Sequence, residues 1–237
     1  MFFSPPTPPL TKIPAPTAAE ICAQSKPSAE GKALLTPTMT PTEYFKTLEK
    51  NKLPVDSVHF LAHGLPEKDG ICWACQACRL TAPKLSMPEL DALKLTEGWL
   101  KNPLPNLHAS IGASLGKVDF TGPGSWAAQA VMWAKIPGIP PIPPIPGMPP
   151  INLVAAAVAG AILLAAGLKL GAAMPPIPKP KIPLPMLPPT PEFLAQLKVP
   201  QLALPPIPVV DQLKLVKPLL PFLDLGKGVA CGSIKCC

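Results

Sequence analysis

Proline recurs every two or three residues through much of the second half of the chain, as in residues 137–150. Each proline removes a backbone donor and clashes with the preceding helical turn, so such stretches cannot form long helices or central strands. Of the 39 prolines among 237 residues, 23 lie after Ile136. Glycine does not recur at every third position, which excludes a collagen helix. We therefore expect a conventional folded part before Ile136 and an extended apolar part after it.

Residues 1–38 are rich in Pro, Thr, Ser and Ala, a composition that predicts a mobile leader. Residues 39–136 contain repeated helix start and stop signals instead. Two stretches, beginning at Thr40 and at Ser86, match the capping box, in which a hydroxyl and a glutamate satisfy the first N–H groups of a helix. Helices are expected over 41–50, 55–63, 68–80, 86–101, 105–116 and 125–135. These helices predict one small bundle, which we interpret as a docking domain.

The apolar side chains of the proline-rich segment 137–150 fall at every third position. A polyproline II helix has three residues per turn, so these side chains would line one edge of an extended rod. A solvated spacer would carry polar residues there. We therefore predict a partner-binding edge formed by Ile139, Ile142, Ile145 and Met148.

Residues 151–174 form the longest apolar stretch and are rich in Ala and Gly. A helix of this length would span about 36 Å, enough to cross a membrane of about 30 Å of hydrocarbon. The alternative is a helix buried among protein neighbours. Its small residues, Gly160, Gly167 and Gly171, fall near one face and predict a close helix–helix contact.

Residues 175–237 return to a Pro/Leu/Lys-rich tail with a cysteine-rich terminus, in which short helices are expected over 191–199 and 209–216. The expected fold class is therefore mainly α. It comprises a small helical bundle domain followed by a proline-rich extended tail, which one long apolar helix interrupts.

Charge and motifs argue against several function classes. The chain has a net charge of +7, but residues 137–237 contain no Arg and only two aromatic residues, so nucleic-acid binding is not expected. The first residues lack a basic segment followed by an apolar one, which argues against a cleaved signal peptide. No nucleophile elbow, phosphate loop, dinucleotide-binding glycine pattern or zinc-protease motif is found, and no paired acid and base stands out. We therefore expect no enzymatic activity and no cofactor.

Histidine and cysteine form two clusters that carry an alternative hypothesis. His59 and His63 lie four residues apart on a predicted helix and precede a Cys-x-x-Cys-x-x-Cys run; a second cluster lies at the end of the sequence. A zinc or iron–sulfur site is the functional interpretation, but three cysteines spaced by three residues on one helix diverge around it. Buried thiols are the favoured interpretation. The candidate ligands are His59, His63, Cys72, Cys75, Cys78, Cys231, Cys236 and Cys237.

Residues 60–75 resemble an uncharacterised bacterial helical family with a Leu-Ala-His-x-Leu-Pro stretch running into Trp-Trp-Ala-Cys. Similarity extends loosely over about residues 40–140, and Cys72 stands where the family often has its first Trp. The resemblance implies an association with type VI secretion clusters, and no activity. The signature residues are Leu61, His63, Leu65, Pro66, Trp73 and Cys75.

Together these features predict a non-enzymatic structural, adaptor or cargo component of a bacterial contractile, type VI-like secretion apparatus. Its apolar tail would bind a protein partner, such as a secretion spike or chaperone, or a membrane. Homo-oligomerisation is compatible with the glycine face. The expected location is the bacterial cytoplasm, with export by the apparatus or membrane association as further options. The alternatives are a membrane-anchored helical protein unrelated to secretion and a Cys/His metal-binding or redox protein.

Overall fold

The computed structural model describes residues 8–135, 152–170 and 212–235. Within these ranges the fold is helical, and no strand occurs in them. A 3-10 turn, Ala82–Lys84, separates the fifth and sixth helices. The α-helices in chain order are α1 (Ala18–Ser25), α2 (Ala29–Ala33), α3 (Pro41–Lys50), α4 (Pro54–Gly64), α5 (Glu67–Arg79), α6 (Met87–Lys101), α7 (Pro105–Leu115), α8 (Pro123–Trp133), α9 (Leu153–Leu170) and α10 (Gln212–Ala230).

The mainly helical class is confirmed, and local signals place the starts of the middle helices. Thr40 and Glu43 form the predicted capping box of α3, and Ser86 and Glu89 form that of α6. The first turn of each of the helices α3, α4, α6, α7 and α8 contains a proline, where its missing N–H costs nothing. These helices lie within a residue or two of the predicted ranges.

The leader prediction is wrong for residues 8–38, because α1 and α2 pack on the bundle. The carboxylate of Asp56 in α4 accepts hydrogen bonds from the Ser28 backbone N–H at 2.9 Å and from its hydroxyl at 2.6 Å. The buried Tyr44 hydroxyl donates to the Gly31 carbonyl at 2.8 Å. Ile21 adds a buried apolar contact surface on α1. The composition of residues 8–38 could not predict this packing, because the partner residues Tyr44 and Asp56 lie elsewhere in the sequence.

The apolar helix α9 is a core element of the bundle. It packs against α8, α5 and α4, and residues such as Ala157, Ala161 and Ile162 are fully buried. Among the described residues no helix is both long and apolar enough to cross a membrane. The expectation of a membrane-length helix interrupting an extended tail is therefore corrected. Apolar residues all around a helix indicate burial, and here the burial is provided by protein neighbours.

Helix α10 is longer than expected, because the short helix predicted over 209–216 continues to Ala230 despite internal prolines at 218 and 221. Its buried positions recur at helical spacing, with Leu219, Phe222 and Leu223 facing α4 and α5. Burial of this stripe compensates for the backbone hydrogen bonds that the prolines remove. The segments predicted over 137–150 and 191–199 lie outside the described residues.

Helix α5 forms the centre of the bundle, in contact with α6, α8, α9 and α10. Gly70 near its start faces Val158, and Lys84 just beyond its end donates to the Leu168 carbonyl at 2.5 Å, so α9 runs parallel to α5. Helix α8 runs antiparallel, because the Lys135 N–H beyond its end donates to Glu67 Oε2 at 2.9 Å. We refer to the two opposite ends of the bundle as the Glu67 end and the Lys84 end.

Candidate functional site

The six signature residues lie at the corner between α4 and α5, and most serve packing. Leu61 and Trp73 are fully buried, and Leu65 and Cys75 are nearly so. His63 is half-buried and Pro66 is exposed. A large aromatic side chain in such a place contributes mainly through the apolar area it removes from water.

Trp73 connects this corner to α10. Its indole Nε1 donates to the Phe222 carbonyl at 2.8 Å. Gly226 lies so close to the indole that a Cβ there would stand 2.6 Å from Cε2 and Cζ2 of the ring. Lys169 at the end of α9 places its Nζ 5.5 Å from the centre of the Phe222 ring. Trp73 thus fixes the position of α10 against α5, and Lys169 adds a contact between α9 and α10. The sequence predicted neither contact.

His59 and His63 lie on one face of α4, as predicted, with ring centroids 6.3 Å apart. His63 Nδ1 shares a hydrogen bond of 2.8 Å with the His59 carbonyl, and His59 Nε2 is buried without a partner. Burial, helped by the proximity of His63, lowers the pKa of His59 to about 4. Burial also lowers the pKa of His63. Both rings are therefore neutral at pH 7, the state that binds metals.

The cysteines of α5 do not assemble a metal centre with these histidines. Within the described residues no three His, Cys, Asp or Glu side chains come together in a manner suited to a metal ion. Cys72 is disulfide-bonded, whereas Cys22, Cys75, Cys78 and Cys231 are thiols. Cys78 is fully buried, and this burial raises the pKa of its thiol. Cys236 and Cys237 lie outside the described residues.

The described part of the glycine face of α9 lies partly against α8. A Cβ at Gly160 would meet the Trp126 ring of α8 at 3.6 Å, and Gly167 is buried. Gly160 is only partly buried, so the prediction that Gly160 and Gly167 contact a separate partner stays a prediction. Gly171 lies outside the described residues, as do the four predicted contact residues Ile139, Ile142, Ile145 and Met148.

Glu89 is a buried carboxylate whose second role the sequence did not reveal. Beyond capping α6, it lies against the first turn of α8, where a Cβ at Gly122 would overlap its carboxylate. Burial raises the pKa of Glu89, while hydrogen bonds from the Ser86 and Ser125 backbone act in the opposite direction. The positive end of a helix favours a carboxylate in this position. The only hint in the sequence was Gly122, directly before Pro123, because a glycine can mark a close approach of another group to the backbone.

A shallow cleft of about 330 Å³ lies between α6 and α7. Its lining is mostly exposed, and the opposite charges of Asp91 and Lys117 both border it. It offers no buried polar group that could orient a ligand. The lining residues are Pro88, Asp91, Leu95, Ser110, Ala113, Ser114 and Lys117.

The two proline-rich segments begin and end on the buried helices. Residues 136–151 connect the end of α8 to the start of α9, both at the Glu67 end of the bundle. Residues 171–211 connect the end of α9 to the start of α10. The Leu168 carbonyl lies at the Lys84 end, so this second segment leaves from the opposite end. The buried helix α9 therefore separates the two proline-rich segments in the sequence.

Comparison with known proteins identifies a family, and the function of that family is unknown. No curated protein and no solved structure matches the chain. A family described as a family of unknown function, DUF6931, matches residues 44–175, which is more than half of the sequence and includes α9. The uncharacterised family expected from residues 60–75 is in agreement with this match. The chain therefore belongs to the DUF6931 family.

Proposed function

We propose that this chain is a non-enzymatic protein-binding component that presents proline-rich segments from a rigid helical bundle. The observation that carries the proposal is the attachment of segment 136–151 to buried helices on both sides. A segment attached at both ends loses less conformational entropy on binding than a free tail. Ile139, Ile142 and Ile145 lie three residues apart, so a polyproline II helix would present them as one apolar edge suited to an aromatic-lined groove.

We further propose that the partner belongs to a contractile, type VI-like secretion apparatus, where the chain acts as a spike-associated structural, adaptor or cargo component. The support is the resemblance of residues 60–75 to a family associated with type VI secretion clusters. A protein partner is favoured over a membrane, because the described apolar helix is already buried against α4, α5 and α8.

The test is co-sedimentation of the purified chain with contractile secretion particles. The triple variant I139S/I142S/I145S removes the apolar edge and leaves every proline in place. A matched control, L184S/L187S, alters the other proline-rich segment. We expect the wild type and the control to sediment with the particles and the triple variant to remain in the supernatant, with affinity lowered at least tenfold.

All three proteins should show the same helical circular dichroism and melting temperature, because the substitutions lie outside the described bundle. If the triple variant sedimented as the wild type does, the isoleucine edge would have no role in binding the particles. A folded wild-type chain that stays in the supernatant would refute the secretion proposal.

A further inference from the structure

The cleft between α6 and α7 has two walls of different shape. A loop of only three residues joins the two helices, and they pack side by side, so they run antiparallel. The α6 wall carries the larger apolar side chains Pro88 and Leu95. The α7 wall carries the small side chains Ser110, Ala113 and Ser114. One wall of the cleft therefore projects, and the other is recessed.

The two walls also carry opposite charges at nearly the same level. Asp91 lies ten residues before the end of α6 and Lys117 twelve residues after the start of α7, so they stand about 15 and 18 Å from the connecting loop. Asp91 also contacts Lys94 at 3.7 Å, but both side chains are 62% exposed, so that pair is weak. Among the described residues no ion pair involves Lys117. Both charges are therefore available to a partner.

A two-fold axis running along the cleft would place the α6 wall of one copy of the chain on the α7 wall of a second copy. In this arrangement Leu95 meets the small side chains of the other copy, and Asp91 of each copy meets Lys117 of the other. The four helices then form an antiparallel bundle, in which ridges of large side chains pack into recesses lined by small ones. The same arrangement therefore matches the walls in both size and charge, and it closes at two copies.

We propose that the α6–α7 cleft is a self-association surface through which two copies of this chain form a symmetric dimer. The chain has a net charge of +7, which makes two copies repel each other. The charged residues at this face are Asp91, Lys94, Lys117 and Asp119, and their charges sum to zero, so the face avoids that repulsion. Two short helices from each copy give a small interface, below about 1,200 Å², so the dimer is weak and depends on concentration.

Sedimentation equilibrium of the full chain, at concentrations up to about 1 mM, tests the association. We expect the wild type to change from monomer to dimer as the concentration rises. The variant A113R fills the recessed wall and should weaken the dimer at least tenfold. Its matched control is A23R, which makes the same change at an exposed position of α1 and should associate as the wild type does. A wild type that stays monomeric, or an A113R variant that dimerises as the wild type does, would refute the proposal.

Charge exchange tests the arrangement of the two copies. In D91K two lysines would face each other across the dimer, and in K117D two aspartates would, so each variant alone should dimerise at least tenfold more weakly than the wild type. An equal mixture of the two variants restores both opposite-charge contacts, because position 91 of one copy meets position 117 of the other. We expect this mixture to form heterodimers with nearly wild-type affinity. A mixture that stays monomeric would overturn the two-fold arrangement.

The double variant D91K/K117D exchanges both charges within one chain and gives a second measure of the same contact. It should dimerise nearly as well as the wild type, and a monomeric double variant would count against the proposal. All these variants should keep the helical circular dichroism and melting temperature of the wild type, because Asp91, Ala113 and Lys117 are exposed. A change in association then reflects the cleft surface and not the fold of the bundle.

Discussion

Helices α9 and α10 both come from the half of the chain where proline dominates, yet they join the bundle by different means. Helix α9 is apolar around its whole circumference and lies among α4, α5 and α8. Helix α10 buries one stripe and exposes Lys217, Leu220 and Asp224. Uniform apolarity indicates a central position, whereas a single stripe indicates a covering position. The second half thus supplies both a core element and a covering element.

The largest expected effect comes from placing a charge in α9. Ala161 is fully buried. We expect Ala161→Asp to lower the free energy of unfolding by about 3–5 kcal/mol, because the carboxylate would be buried without a partner. Urea unfolding followed by circular dichroism measures the loss.

The comparison with α10 uses Leu220→Asp, since Leu220 is 45% exposed and already faces water. Its expected cost is about 0.5 kcal/mol or less. If Ala161→Asp were as mild as this control, α9 would not belong to the core, and the contrast between the two helices would disappear.

Local rules predicted the middle helices well, for reasons visible in particular residues. The Thr40 and Ser86 capping boxes act within four residues, so the sequence determines these helix starts without knowledge of the fold. The same holds for the stop at Asn102-Pro103. The helical class and the α4–α5 corner could therefore be predicted from local patterns.

Placement of the flanking segments depended on contacts that the sequence pattern does not encode. The α9 pattern lacks an amphipathic stripe, so it could not distinguish a bundle core from a membrane. In α10 the prolines at 218 and 221 obscured the helical spacing of the buried stripe that includes Leu219 and Phe222. The leader was missed because its partner carboxylate, Asp56, is 28 residues from Ser28.

A pair of glycine substitutions should give effects of opposite sign in the two helices. Gly226→Ala in α10 places a Cβ 2.6 Å from the fully buried Trp73 ring. We expect a loss of about 1–2 kcal/mol, because overpacking exceeds the gain in helix propensity. Gly160→Ala in α9 places its Cβ 3.6 Å from the Trp126 ring, an ordinary contact. There we expect a gain of up to about 1 kcal/mol.

Both variants can be measured by urea unfolding under the same conditions, with the slope of the transition as a check that the unfolded state is unchanged. A loss at position 160 of the size expected at 226 would mean that α9 packs on α8 more tightly than the distances indicate. A gain at position 226 would mean that Trp73 can move aside, and the register contact between α5 and α10 would then be loose.

The smallest expected effect concerns the charges that attach α10 to α3. Lys227 Nζ lies 2.9 Å from Glu49 Oε1 and 2.9 Å from Asp224 Oδ1, and its side chain is 22% exposed. Burial by itself lowers the pKa of Lys227, but the hydrogen bonds with Glu49 and Asp224 leave it raised. Because the folded state binds this proton more tightly, the stabilisation is complete at pH 7. It is lost only as the pH rises above the ordinary value of 10.5.

We expect Lys227→Met to cost about 0.5–1 kcal/mol in urea unfolding at pH 7, since the pair with Glu49 is partly shielded and the pair with Asp224 is largely exposed. The matched control is Lys94→Met, whose ion pair with Asp91 at 3.7 Å is 62% exposed on both sides. That control should change stability by about 0.3 kcal/mol or less. Equal losses would mean that the ion pairs of Lys227 add nothing specific to the attachment of α10. A loss confined to Lys227 that persists in high salt would instead show that this covering helix needs a directed ion pair as well as its apolar stripe.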